Sequence, residues 1–167
     1  MAGTTAQATV APMRRMLVVA QHLHGSTGTV GAAVVRGATD PAIGDGVDVV
    51  YLPAVEVDAH EVEAADALVL VTTERFGTVA GLTKDFLERI WDPCRTSTLG
   101  KPFTFVVRAG NDGTGTVTAV TRVATGLGWR TVRPPLLVVG DEPTAAHIAD
   151  AEELGASIAA ALATDLL

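Results

Sequence analysis

The sequence predicts one three-layer α/β domain, a doubly wound parallel sheet of five strands in the order 2-1-3-4-5 with helices on both faces. Three observations lead to this fold class. Five short apolar segments alternate with segments of helical periodicity, as in successive β–α units. Hydrophobic residues form 48% of the chain but aromatic residues only 4%, so the core is aliphatic, as in parallel strands buried on both faces. The length of 167 residues suits a single domain with a sizeable core.

The first three strands are predicted from short apolar runs. Residues 16–20 (MLVVA) form the first strand, and a Gly/Ser/Thr turn at 25–29 leads into a helix over 30–37. The second strand, 47–52 (VDVVYL), contains an Asp and therefore lies nearer an edge. The third strand, 67–71 (ALVLV), is wholly aliphatic and is predicted to be central.

A helix after the third strand is indicated by Leu82, Phe86 and Ile90, which recur at a spacing of four. This spacing places the three side chains on one apolar face, with charged residues on the other side. We expect Pro93 to end this helix, because proline lacks the N–H that the helix needs.

The second half of the chain continues the alternation. The fourth strand covers 103–107 and is followed by a polar Gly-rich loop and a helix over 116–127. The fifth strand covers 131–139, and its internal Pro134-Pro135 pair is typical of an edge position. A last helix runs from about residue 144 to residue 162.

The composition disfavours several classes of function. A net charge of -7 does not favour nucleic acid or anionic membranes, because binding to these depends on clustered Lys and Arg. The single Cys94 excludes an internal disulfide and a multi-cysteine metal site. No apolar run reaches the roughly 18 residues that a membrane span needs. We expect a cytoplasmic protein with neither nucleic-acid nor membrane partners.

The chain start differs from the rest. Its first twelve letters, MAGTTAQATVAP, are small residues without periodicity, and Arg14 and Arg15 follow this stretch, whereas a signal peptide begins with its positive charge. We expect residues 1–15 to be a flexible leader and 16–167 to be the folded domain.

Three polar loops follow strands one, three and four, at residues 25–29, 72–79 and 109–115. In a 2-1-3-4-5 sheet these strands are neighbours, and ligands bind at the carboxyl ends of strands where the winding direction reverses. The first loop joins a strand to a helix through Gly, Ser and Thr, an arrangement that presents N–H groups and hydroxyls to a phosphate. The loops therefore predict a ligand cleft.

Common nucleotide motifs are absent from these loops. Lys101 follows Gly100, but Pro102 occupies the Ser/Thr position of a phosphate-binding P-loop. The glycines at 110, 113 and 115 have the wrong order for the dinucleotide fingerprint. A response regulator needs a phosphoacceptor Asp after strand three, where Thr72 stands instead.

Two other chemistries have partial support in the sequence. Ser26 lies at a strand-to-helix turn, as in a serine hydrolase nucleophile elbow, and Asp141 and His147 follow in the chain order of a triad. His22 and His24 alternate at a strand end, but a zinc site would need a further ligand nearby. Both sets of residues also have an ordinary structural explanation, since the same residue types are common in turns and at helix starts.

Residues 72–81 (TTERFGTVAG), followed by 84–88 (KDFLE), resemble a segment of the flavodoxin-like family. They are most similar to that segment in WrbA-type NAD(P)H:quinone oxidoreductases and NADPH-dependent FMN reductases. Residues 26–29 (STGT) resemble the FMN-phosphate loop of the family, and 151–156 (AEELGA) resemble its last helix. The resemblance covers about residues 16–162 and implies a flavodoxin-like fold.

The resemblance also implies a cofactor, FMN, and its binding residues. The phosphate would be held by Ser26, Thr27, Gly28 and Thr29. The flavin ring would lie along Thr72, Thr73, Glu74, Arg75, Phe76 and Gly77, and its other side would be closed by Gly110, Asn111, Asp112 and Gly113. No side chain is expected to be catalytic, because the cofactor carries the hydride and electrons. NAD(P)H would be the electron donor, and a quinone, a free flavin or another small molecule the acceptor.

The sequence departs from the family at four positions. Gly25 and Val30 replace a Ser and a Thr of the phosphate loop, Thr73 replaces a Pro, and Glu74 brings a carboxylate beside the expected ring. Three alternatives therefore stay open: a flavodoxin-type electron carrier, a binding module without FMN, and the serine hydrolase. The only Tyr, Tyr51, is expected far from the loops, unlike the ring-flanking Tyr of flavodoxins. A homo-oligomer stays open as well.

Overall fold

The computed structural model describes residues 13–43 and 46–167, which form a central, mostly parallel sheet. The strands among these residues are β1 (Arg14–Ala20), β2 (Val47–Pro53), β3 (Ala67–Arg75), β4 (Thr78–Val79), β5 (Pro102–Ala109), β6 (Arg130–Thr131) and β7 (Leu136–Val139). Their order is β2-β1-β3-β5-β6, while β7 also pairs with β5 and β4 with β3. Only the β3–β4 pair is antiparallel among these pairings. The predicted order is confirmed, with β5 as the predicted fourth strand.

Helices cover both faces of the sheet. Those in the described part of the chain are α1 (Gly25–Ala38), α2 (Ala59–Ala64), α3 (Gly81–Ser97), α4 (Thr114–Gly126) and α5 (Ala145–Ala163). Side chains alternate along β1, so Met16 and Val18 belong to the core under α1 and α5, whereas Leu17 and Val19 belong to the core under α2, α3 and α4. The predicted three-layer arrangement is therefore confirmed.

The predicted first loop is the first turn of a helix. We predicted the helix from Val30, but α1 begins at Gly25. Gly25 has φ +65°, a left-handed value that glycine adopts without a steric penalty, at the point where the chain enters α1. The polar segment 25–29 therefore belongs to α1.

The predicted fifth strand is two strands. β6 and β7 each pair with β5 and are separated by a segment that contains Pro134 and Pro135. Neither proline has an N–H for the ladder, which explains the interruption. The carbonyl of Arg133 in this gap accepts a hydrogen bond from the Thr104 hydroxyl at 3.2 Å, so the break stays attached to β5.

The prediction that Pro93 ends α3 is wrong, because the helix continues to Ser97. The turn after the proline is anchored by the fully buried Cys94, whose carbonyl accepts a hydrogen bond from the Thr98 hydroxyl at 2.8 Å. The Ser97 hydroxyl donates to the Pro93 carbonyl at 3.0 Å. Packing and side-chain hydrogen bonds thus offset the missing N–H.

The first strand begins two residues earlier than predicted. β1 begins at Arg14, and Arg15 pairs with Asp48 in the β1–β2 ladder. The Arg15 Nε atom also donates to the Asp48 carboxylate at 3.1 Å. The rest of the predicted leader, residues 1–12, lies outside the described residues. Within the ranges described, no helix combines the length and apolarity that a membrane crossing requires.

Helices α1 and α5 touch backbone to backbone. A Cβ atom added to Gly155 would lie 1.9 Å from the carbonyl oxygen of Val34, and one added to Gly37 would lie 1.8 Å from that of Glu152. Real Cβ atoms do not approach so closely, so both positions require glycine. This contact fixes the position of α1, whose first turn carries the candidate site.

Candidate functional site

The first turn of α1 has free backbone donors. His24 is its N-cap but forms no side-chain cap, and the turn contains no acidic residue. The N–H of Gly28 bonds to the His24 carbonyl at 3.2 Å, while those of Ser26 and Thr27 have no acceptor in the part of the chain that the structure describes. Free N–H groups and the positive end of the helix dipole together favour an anion.

The hydroxyls of this turn have distinct partners. Thr27 and Thr73 share a buried hydrogen bond at 2.6 Å, which ties the start of α1 to the end of β3. Thr29 donates to the carbonyl of Gly25 at 3.1 Å, within its own helical turn. Ser26 Oγ accepts a hydrogen bond from Arg108 at 3.2 Å, so its own proton remains available to an external acceptor.

A cavity of about 210 Å³ opens beside this turn. It brings the three predicted loops together with a fourth one, the turn after β7. Its lining residues are Ser26, Thr27, Thr73, Glu74, Arg75, Arg108, Gly110, Gly140 and Asp141. Typical ligand sites measure about 300–1,000 Å³, so this cavity suits one polar end of a larger ligand. A separate apolar groove of about 330 Å³ lies between α3, α4 and β4, around Trp91.

Arg108, Gly140 and Asp141 line the cavity but are not among the predicted cofactor-binding residues, and Arg108 is the charged side chain that links them. Its guanidinium donates from Nε to Ser26 Oγ, from Nη1 to the Gly140 carbonyl at 2.5 Å, and from Nη2 to the Asp141 carbonyl. These partners are all neutral oxygens. A signal was present in the sequence, since Arg108 is a lone charge near the end of an otherwise apolar strand.

The segment after β3 is a tight hairpin. Glu74 pairs with Val79 and Arg75 with Thr78, which leaves Phe76 and Gly77 at the tip. Both tip residues have positive φ, +52° and +73°, as in the type I′ turns that suit two-residue hairpins. The Phe76 side chain is fully exposed, with a relative exposure of 104%. An uncovered aromatic ring on a strained backbone therefore projects at the edge of the site.

Replacing Phe76 with Asn is expected to stabilise the fold by about 1 kcal/mol, because Asn tolerates the left-handed region better than Phe. In a chain of this length the melting temperature should rise by about 2–4 °C. Thermal unfolding of both proteins measures this. The adjacent Thr78→Asn variant, on β4, is the control and should gain nothing. A lower melting temperature for Phe76→Asn would show that the ring contributes packing that outweighs the backbone strain.

Two of the carboxylates near the site, those of Glu74 and Asp112, bond to the N-terminus of α4, whereas the exposed Asp141 lines the cavity without such a bond. Glu74, predicted beside the flavin ring, accepts a hydrogen bond from the Thr116 N–H at 3.2 Å. Asp112 accepts from the N–H of Thr114 at 2.9 Å and from its hydroxyl at 2.7 Å, and these bonds lower the pKa of Asp112. The helix dipole thus offsets both negative charges, which reduces their repulsion of a bound anion.

The other predicted residues lie around this cavity and do not line it. Thr72 is fully buried, and its hydroxyl bonds to that of Thr83 at 2.7 Å. Asn111 is exposed, next to Asp112. Gly113 is the N-cap of α4 with φ +74°, and this left-handed value explains why the position is a glycine. Together these residues shape the turns that surround the cavity.

Tyr51 lies closer to the site than predicted. We expected it far from the loops, but its hydroxyl donates to the Gly28 carbonyl at 3.2 Å, in the first turn of α1. Burial raises the pKa of Tyr51. A Cβ atom on Gly31 would lie 2.3 Å from the Tyr51 hydroxyl, so glycine makes room for the ring. Tyr51 therefore supports α1 from β2.

The hydrolase arrangement is not assembled. Ser26 is bonded to Arg108, and His147 uses Nδ1 to accept the Thr144 N–H at 3.2 Å in the capping box of α5. His22 and His24 stack with ring centroids 4.8 Å apart. In the ranges 13–43 and 46–167, no group of three His, Cys, Asp or Glu residues could hold a metal ion.

Solved structures show which class of fold this architecture defines. The chain is similar to a flavodoxin from the domain Archaea, with 18% identity, a TM-score of 0.71, and coverage of 90% of this chain and 99% of that one. It is similar to a WrbA-like flavodoxin from Agrobacterium tumefaciens (17% identity, TM-score 0.67, 91% and 98% covered). It also resembles the flavodiiron core of Flv1 from Synechocystis sp. (18% identity, TM-score 0.72, 92% of this chain), of which it spans only 36%. The fold is flavodoxin-like.

Sequence comparison identifies the family. The sequence model of the family described as NADPH-dependent FMN reductase matches residues 48–144, more than half of the chain. The chain belongs to this family, which confirms the resemblance noted from residues 72–81. No match was found among curated proteins.

Proposed function

We propose that this protein binds FMN and acts in the cytoplasm as an NAD(P)H-dependent oxidoreductase that reduces a quinone, a flavin or a similar small acceptor. The observation that carries the proposal is the uncapped first turn of α1, which faces a polar cavity beside Arg108. Two free N–H groups and a cation match the charge of a phosphate monoester. The nearby carboxylates of Glu74 and Asp112 are bonded to α4, and Asp141, which also lines the cavity, is exposed to solvent that screens its charge.

The residues present fit FMN at both of its ends. Ser26, Thr27, Gly28 and Thr29 would hold the phosphate through the first turn of α1. The cavity has room for one end of the cofactor, so the ring would extend past Thr73 to the hairpin tip at Phe76, with residues 110–113 on its other side.

In this proposal, the chain's own residues bind FMN and orient it. When bound, FMN supplies hydride acceptance and electron transfer. Thr72 would act indirectly, since its bond to Thr83 fixes the end of β3. The exposed ring of Phe76 would cover one edge of the flavin and limit the access of water, while Arg75 offers a cation beside the cavity.

The proposal is tested by adding FMN to the purified protein and recording the visible spectrum and the melting temperature. We expect a flavin spectrum that stays with the protein through gel filtration, together with an increased melting temperature. Oxidation of NADPH or NADH in the presence of a quinone then measures the reductase activity. Absence of both flavin retention and a thermal shift would refute the proposal.

A flavodoxin-type electron carrier is the second candidate, because flavodoxins share the fold over nearly their whole length. A carrier would retain FMN but would consume no NAD(P)H without a separate reductase. The same two assays therefore separate the candidates. A module without FMN would fail in both assays. Its support is that Gly25, which has no side chain, and the buried Val30 offer no hydroxyl to a phosphate.

A further inference from the structure

Arg108 carries a charge without a counter-ion. Its neighbours are a hydroxyl and backbone carbonyls, and within the described residues it forms no salt bridge with a carboxylate. The Arg108 side chain is half-buried. It lacks a carboxylate partner although the chain has a net charge of -7 and therefore an excess of carboxylates. A half-buried charge whose partners are all neutral is free to pair with an anionic ligand.

We propose that Arg108 is the phosphate-binding cation of this site, and that it makes the protein select FMN over riboflavin. The inference rests on the proposed function and adds a residue to it. Arg108 acts on the phosphate in two ways. It supplies positive charge beside the first turn of α1, and it occupies the oxygen of Ser26, so that the Ser26 proton points to an external acceptor.

This role explains how the site accommodates its missing hydroxyls. Gly25 has no side chain and Val30 is fully buried, so neither residue offers a side-chain hydroxyl to a ligand. A hydrogen bond to a charged group is stronger than a neutral one, so a single arginine offsets more than one lost hydroxyl. The cation comes from β5 on the far side of β3, which no pattern within residues 25–30 reveals.

Arg108 also joins the phosphate region to the turn after β7. Its Nη atoms bond to the carbonyls of Gly140 and Asp141, and this turn leads into α5. α5 in turn packs against α1 at Gly155. The anion, the β7–α5 turn and both helices are thereby held by one side chain.

The test compares two ligands that differ only in the phosphate. Dissociation constants for FMN and for riboflavin are measured by flavin fluorescence in the wild type, Arg108→Ala and Arg108→Lys. We expect Arg108→Ala to weaken the binding of FMN by about ten- to a hundredfold and the binding of riboflavin by less than about twofold. Arg108→Lys keeps the charge but loses the planar fork, so we expect it to weaken FMN by a smaller factor.

Arg130→Ala is the matched control, because it removes the same charge at a distant position. Arg130 is exposed and pairs with Pro102 at the opposite end of β5. This variant should leave both dissociation constants unchanged. Equal weakening of FMN and riboflavin in Arg108→Ala, or no weakening of FMN, would overturn the inference. If Arg108→Ala does not fold, Arg108→Lys decides the question by the same comparison. A wild type that binds FMN and riboflavin equally refutes only this inference, whereas one that binds neither refutes the proposed function as well.

Discussion

Replacing Gly155 with alanine is expected to destabilise the protein by about 2–4 kcal/mol, because the new Cβ atom overpacks a backbone contact. That atom would lie 1.9 Å from the carbonyl oxygen of Val34, and a backbone atom cannot rotate away as a flexible side chain does. Alanine stabilises a helix by about 1 kcal/mol relative to glycine, and this gain offsets only part of the cost of the clash. The melting temperature should fall by roughly 5–15 °C. Urea and thermal unfolding measure both quantities.

Gly81→Ala is the control for this prediction. Gly81 begins α3, has no atom within 4 Å of the added Cβ, and is not among the glycines with positive φ. Alanine there should be neutral or slightly stabilising. If both variants unfold at the same temperature as the wild type, α1 and α5 can separate at little cost, and the backbone contact does not hold α1 in place.

The sheet was predictable because it follows from local patterns. The aliphatic runs at 16–20 and 67–71 lie on central strands, and the glycine- and threonine-rich loops after them meet at one edge, as the winding of the sheet requires. Composition also indicated a mostly aliphatic core, to which Phe86, Phe103, Phe105 and Trp129 add buried aromatic rings. These features depend on hydrophobic burial, which each segment of sequence shows independently.

The partners of charged residues were not predictable in the same way. Arg108 reaches Ser26 across the sheet, and Glu74 reaches the N–H of Thr116 on the next helix. Both bonds join residues far apart in the chain, so no local periodicity reports them. Glu74 and Asp112 were assigned to the flavin, yet both bond to the start of α4, which attracts carboxylates through free N–H groups and its dipole. Long-range hydrogen bonds therefore determine the electrostatics of the site.

Gly115→Ala should weaken FMN binding by tenfold or more, about 1.4 kcal/mol. The added Cβ would lie 1.7 Å from the carbonyl oxygen of Gly77, so the hairpin tip would have to move away from α4. This displacement also strains the bond between Glu74 and Thr116. The hairpin is a surface element, so we expect the melting temperature to fall less than in Gly155→Ala. Fluorescence titration with FMN and thermal unfolding separate the two effects.

Gly81→Ala provides the control here as well, since Gly81 lies outside the cavity lining, has open space around the added Cβ and is not among the positive-φ glycines. It changes the start of α3 by one methyl group without a clash, so the FMN dissociation constant should stay within about twofold of the wild type. Unchanged FMN affinity in Gly115→Ala would mean that the position of the hairpin does not matter for the cofactor. The assignment of the ring to Arg75, Phe76 and Gly77 would then fail, while the phosphate end at α1 would stand, because Gly115 contacts only the hairpin side of the site.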